Sequence, residues 1–238
     1  MLFYFKKKPL VFTAFVSEEY AFANAYSPIT STKKNIPKWW KNLPSGNFNW
    51  DTLTSSTTTK HCVGIINSFT SGFILPAWTE IAFNITPERW SYQSADTITE
   101  LSFHANEQTQ GFYKDYIFLK IHSPWVIECS EPGIDLMHHF PFYHFTEPRE
   151  YITPNGIISP IKQLYTSNIF MFFKKNNAKI MIEQNDPLLH IIPITEKEYN
   201  IKTEVVSFSE YIKKASIISR KPNFFLNGVK VARIQKLS

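Results

Sequence analysis

Glycine is scarce in this chain. Its 238 residues hold seven, at positions 46, 64, 72, 111, 133, 156 and 228. No two lie closer than eight positions, and a loop that cradles phosphate needs several glycines in close succession so that backbone amides can approach the oxygens. Nucleotide binding through a glycine-rich loop is therefore excluded. Cysteine is rarer still: Cys62 and Cys129 stand 67 positions apart with no CxxC pair. That spacing predicts two buried thiols in a reducing compartment and leaves a single disulfide open. Neither cysteine carries a nucleophile signature, and no Gly-x-Ser-x-Gly elbow occurs, so nucleophilic catalysis has no motif to rest on. No stretch approaches about 18 consecutive apolar residues, which argues against a membrane-spanning helix. The start, Met1 to Phe5 followed by Lys6-Lys7-Lys8, places its apolar residues before its charges, the reverse of a secretory signal. A soluble protein made in the cytoplasm is the expectation.

Charge of one sign is not concentrated either. The net charge is +5 and the isoelectric point about 9.0, but acids are interspersed along most of the length. The sharpest clusters, Lys6-Lys7-Lys8, Lys33-Lys34, Lys174-Lys175 and Lys213-Lys214, read as solvated faces and loops. A nucleic-acid partner would need a basic stripe and is not the expectation; a basic accessory protein remains the third choice.

Aromatics are abundant, at 16% with 21 phenylalanines. Flat and β-branched side chains pack well on a pleated surface, so the composition favours strands. Period-two alternation supports them directly: Ile81, Phe83 and Ile85 against Glu80, Ala82 and Asn84 mark one face as core. Strands are expected over 10–16, 61–66, 72–78, 80–86, 89–93, 98–104, 116–121, 124–129, 156–160, 169–173, 179–183 and 188–194. Residues 46–60 read as loop, and Asn176-Asn177 as a hairpin turn, since Asn tolerates positive φ. Pro37 opens a short helical segment. One later helix is expected near 209–219, capped by Ser207 with Glu210 three positions on and followed by Pro222. Phe208, Tyr211, Ile212, Ala215 and Ile218 fall on one of its faces. The fold class that follows is mainly β, a single domain over 1–238: a sandwich of jelly-roll or double-stranded β-helix type with that N-terminal helical segment and that C-terminal helix.

The histidines are the best chemical candidates. A metal centre needs about three converging imidazoles or carboxylates, and His138, His139 and His144, with Glu147 and the distant His190, supply the donor types. Residues five apart on a strand face opposite ways. His139 and His144 can therefore meet only if Pro141 breaks the strand, whereas His138 and His144 share a face if it runs on. Cupin enzymes place ligands as His-x-His, a following Glu and a later His; this chain lacks the His-x-His and its glycines. Packed or surface histidines are the plainer alternative.

Two further segments stand out. One is Pro37-Lys38-Trp39-Trp40-Lys41-Asn42-Leu43-Pro44, and the other is the polar turn and strand from Glu183 through Asp186-Pro187 to His190 and Pro193-Ile194. Neighbours on a helix project about 100° apart. One indole can then enter the core while the other, between Lys38 and Lys41, stays available to a partner protein; alternatively both pin the segment down. Lys38, Trp39, Trp40 and Lys41 are thus the candidate partner-binding residues. Together the two segments resemble a family of uncharacterised proteins of about this length encoded by tailed bacteriophages, marine ones especially, and by some bacteria. The resemblance implies a β-rich domain and brings no activity with it. It leads to the expectation of a phage-encoded binding or structural protein without catalysis or cofactor. Such a protein would be made in the host cytoplasm and built into the virion as a minor capsid, collar or tail element, with other proteins or itself as partners. The alternative is a cupin-like enzyme holding a divalent transition metal at His138, His139, His144 and His190.

Overall fold

The computed structural model describes residues 8–103, 114–159 and 166–216. The chain is mainly β, with several sheets and few helices. β1 (Leu10–Ser17) is the middle of a three-stranded sheet, antiparallel to β10 (Val126–Cys129) and parallel to β17 (Tyr199–Val206) over its whole length. A five-stranded sheet has the order β13 (Gly156–Ile158), β11 (Leu136–His139), β16 (Pro187–Pro193), β5 (Phe73–Pro76), β2 (Thr30–Ser31). β12 (Tyr151–Ile152), β14 (Ile169–Lys174), β9 (Tyr116–Ile121) and β8 (Leu101–Phe103) form a third sheet. A fourth contains β15 (Ala178–Ile182), β6 (Ile81–Ile85) and β7 (Trp90–Ser94). β3 (Gly46–Asn49) and β4 (Thr54–Thr57) pair only with each other. The layered β architecture fits a sandwich.

Alternation dictates the core. Ile81, Phe83 and Ile85 are buried while Asn84 is exposed, and Ile169, Met171 and Phe173 point inward from β14 in the same way. These side chains join Phe12, Leu10, Trp78, Trp125, Leu119 and Ile191 in one contiguous cluster. At about 1.5–3 kcal/mol for each fully buried large side chain, that cluster is the main stabilising term.

Several expectations are corrected. Residues 61–66 are not a strand: a 3-10 turn at Thr59–His61 leads into a helix, Val63–Thr70, which buries only Phe69. Residues 46–60 are not plain loop, since they hold the β3–β4 hairpin. Asn176-Asn177 does not close a hairpin, because β14 and β15 lie in different sheets, and neither residue has positive φ. β17 is an additional edge strand, and Tyr199, Ile201 and Thr203 alternate in it with Asn200, Lys202 and Glu204, the period-two pattern of the other strands. The late helix begins at Phe208, with Glu210 N donating to Ser207 Oγ at 3.4 Å. Its apolar face is less covered than its pattern predicts: Phe208 and Ile212 are exposed, whereas Lys214 lies over the Phe15 ring. Residues 217–219 of the expected helix, Ile218 among them, and Pro222, His104 and Pro160 lie outside the described residues. Cys62 and Cys129 are free thiols, the first exposed and the second half-buried. Among the described residues no helix is long and apolar enough to cross a membrane.

Gly72, just before β5, has φ +83°, and a Cβ there would stand 2.3 Å from the Ile191 carbonyl oxygen and 3.1 Å from His190 Nε2. A left-handed backbone alone costs an L-residue about 1–2 kcal/mol, and the clash with a backbone oxygen adds to it. Gly72→Ala is expected to lower the unfolding free energy by at least ~2 kcal/mol, read from the urea midpoint at constant m. An unchanged midpoint would contradict this account of the β5–β16 junction.

Candidate functional site

β16 divides two environments. Leu189 and Ile191 face the main core with Phe73 and Leu75 of β5, so His190, between them in sequence, faces the other way. There it stands opposite His139 of β11, with ring centroids 4.3 Å apart. His138 pairs with Ile191 and Gly156 and projects to the core side, 4% exposed. It is thus removed from the set of histidines that can act together.

Pro141 does break the strand. After β11 the chain turns through a 3-10 segment, Phe142–His144, which returns His144 to 6.1 Å from His190 between ring centroids. His139, His144 and His190 therefore form a cluster. Each ring is oriented by a backbone carbonyl: His190 Nε2 meets Ser71 O at 2.6 Å, His139 Nδ1 meets Phe140 O at 3.0 Å, and His144 Nδ1 meets Asn35 O at 3.1 Å. A neutral imidazole bonded in this way donates from that nitrogen and keeps its lone pair on the other. His144 Nε2 is buried and has no hydrogen-bond partner among the described residues. Burial pushes all three rings below the ordinary histidine range, His190 to about 3 and His144 to about 4, and each of these two is lowered further by its histidine neighbours. Among the described residues no carboxylate is a cause of these shifts. Among the described residues, no group of three His, Cys, Asp or Glu side chains is placed to hold a metal ion.

The Trp-Trp segment meets this cluster. Its short helix, Lys38–Asn42, buries Trp40 against Phe69, with ring centroids 4.9 Å apart. Phe69 in turn lies 5.3 Å from the His144 ring. Trp39 is half-buried and donates from Nε1 to Tyr143 O at 3.2 Å. Lys38 and Lys41 are exposed. One indole pins the segment and its neighbour remains at the edge.

The same 3-10 turn that points His144 inward points Phe142 and Tyr143 outward. They line an open groove of about 560 Å³ with Trp39, Phe140, Phe145 and Ile152, floored by Tyr151. Phe142 is 64% exposed, so a large ring faces solvent at the groove. Arg149 forms one wall; it lies over the Phe145 ring at 4.4 Å, and one of its nitrogens reaches both Asp186 oxygens at 3.1 Å. Burial raises the Asp186 carboxyl and outweighs the lowering by Arg149. Asp186 O accepts from Ala77 N, and Gln184 Nε2 donates to Trp78 O, so the late polar turn braces the groove against the core. Sequence reasoning singled out both indoles and the histidines. It missed Phe69, Arg149 and Tyr151, which carry no periodic or motif signal of their own.

No protein-family model matches the chain, and no curated protein matches it.

The buried histidines, His138 on the core side included, have a consequence for stability. In the unfolded chain histidine binds its proton near pH 6.5, whereas His138, His144 and His190 hold out to about 4, 4 and 3. Between these limits the unfolded state binds more protons, so stability falls as pH falls. Each ring withdraws up to ~1.4 kcal/mol per pH unit. Urea midpoints are expected to be level above about pH 7 and to drop steeply by about pH 5, with a shallower drop in His144→Gln. A midpoint constant from pH 7 to 5 would refute it.

Proposed function

We propose that this chain is a non-catalytic binding protein whose aromatic groove receives a partner protein, and that it serves as a component of a tailed-phage particle. It would be made in the host cytoplasm and carried in the virion as a minor capsid, collar or tail element. The observation that carries the binding reading is the groove itself. Trp, Tyr, Phe and Arg converge there at an exposed yet well-braced surface, and these residue types dominate the energetics of protein interfaces. The resemblance of the Trp-Trp and late turn-strand segments to phage-encoded proteins supports the particle reading.

Mass spectrometry of purified particles of the encoding phage is expected to detect the protein. Phe142→Ser, supplied in place of the native chain, is expected to be incorporated at least about tenfold less, the loss of one interface anchor of ~1.4 kcal/mol or more, with its thermal unfolding unchanged. Absence of the native protein from particles would defeat the virion reading, and full incorporation of the variant would defeat the groove.

One observation favours a second reading, a cupin-like metal-dependent enzyme. His139, His144 and His190 each anchor one ring nitrogen on a backbone carbonyl, the arrangement that fixes the tautomer of metal-bound histidines. Their free nitrogens would have to turn toward one point to hold a divalent transition ion, and His138 takes no part. Elemental analysis of protein purified without chelator is the check: about one equivalent of metal, lost in His144→Ala, is the outcome this reading requires.

A further inference from the structure

The β3–β4 hairpin is built unlike the rest of the protein. Every one of its eight paired residues is exposed, and it belongs to no larger sheet. An isolated two-stranded hairpin is marginal in water. This one is nevertheless firmly rooted. Thr58 Oγ1 donates to Pro44 O at 2.6 Å, Thr58 N donates to Ser45 O at 3.3 Å, and Lys60 Nζ donates to the Lys41 and Leu43 carbonyls. Its tip is also ordered. Asn49 Oδ1 accepts from the amides of Asp51 and Thr52, and Leu53 takes φ +52°, a left-handed conformation rare for a branched apolar residue. The tip displays Trp50 at 79% exposure, Leu53 at 73% and Phe48 at 49%, with Phe48 and Trp50 edge to face at 4.7 Å. A large apolar knob on a clamped arm is thus held away from the core.

The same chain carries a hole of matching chemistry. None of residues 46–57 lines the groove of Trp39, Phe140, Phe142, Tyr143 and Phe145, so the arm does not fill its own site. We infer that the Phe48–Trp50–Leu53 tip of one copy docks into the aromatic groove of a second copy. This inference rests on the binding reading above and names the partner.

Area and symmetry define what assembly results. Aromatic side chains bury roughly 150–250 Å² each. The tip and the groove surface it covers together remove on the order of 800–1,000 Å², below the ~1,200–2,000 Å² of a stable pairwise interface. A single contact is accordingly weak. Each contact pairs a knob with a hole, so it either closes reciprocally in a two-fold dimer, which makes the contact twice, or repeats head-to-tail from copy to copy, becoming durable where a ring closes or a particle lattice holds the copies together.

Complementation by two disabled variants tests this. Trp50→Ser keeps the hole and loses the knob; Phe142→Ser keeps the knob and damages the hole. Both positions are exposed, so thermal unfolding should match the wild type. In sedimentation velocity at roughly 100 μM, near the affinity a small interface allows, the wild type is expected to form dimers and larger species. Each variant alone should be monomeric, its dissociation constant raised at least tenfold. Their equimolar mixture should form a 1:1 dimer that does not grow. A monomeric wild type, or a mixture no more associated than its components, overturns the inference. Groove-dependent incorporation into particles together with a monomeric wild type leaves the binding reading standing and removes only the second copy as the occupant. Incorporation that ignores Phe142 removes the binding reading itself.

Discussion

The molecule depends on a single strand covered on both faces. β16 sends Leu189 and Ile191 into the main core and His190 into a smaller layer beneath the Trp-Trp helix. A strand in that position cannot present a charge to either side, which is why the histidine that interrupts its apolar run is held neutral by burial. Its ring nitrogen is matched by Ser71 O, with Thr32 Oγ1 3.4 Å away. The carbonyl becomes available only because Gly72 turns the chain with positive φ directly against β16.

From that strand the groove follows by short steps. His139 and His190 sit side by side because β11 and β16 are in register. Pro141 ends β11, and the 3-10 turn after it cannot bury all three of its large residues, so His144 goes in and Phe142 and Tyr143 go out. Trp40 and Phe69 close the inner layer, leaving Trp39 bonded to the outer wall. The same packing that stabilises the layer therefore creates an exposed aromatic surface. Two well-buried rings, at about 1.5–3 kcal/mol each, more than offset one phenylalanine left in water.

Legibility in the sequence tracked burial. Strands with one strict apolar face, such as 81–85 and 169–174, could be read residue by residue, because a hydrophobic core imposes period two on the chain. The helix at 63–70 is not legible in the sequence, since Val63, Ile65 and Ile66 have strand-like composition and the segment is too short to display a helical period. The β3–β4 hairpin resembles loop in sequence because it has no apolar face. Its strands are Gly-Asn-Phe-Asn and Thr-Ser-Ser-Thr, and hydrogen bonding rather than burial shapes them. At the site, the Trp-Trp pair and the histidines were recognisable as unusual residues, and the condition that joins His139 to His144, a break at Pro141, could be stated in advance. The supporting residues could not: Phe69, Arg149 and Tyr151 matter through what they touch in other elements, Phe69 against Trp40 and His144, Arg149 against Asp186 and Tyr151 against Phe173.

By itself, then, the sequence determined the class of the fold and the kinds of chemistry it lacks. Alternation, composition and missing motifs are local properties that need no neighbours to be meaningful. Tertiary structure alone decided which histidines face one another, that His138 is turned away, that the late polar turn braces the groove through Arg149 and Asp186, and that an apolar arm and an apolar hollow stand apart on the same chain. Those outcomes are set by strand register and by the direction the chain takes at Gly72 and Pro141. Both are fixed by contacts between residues far apart in sequence.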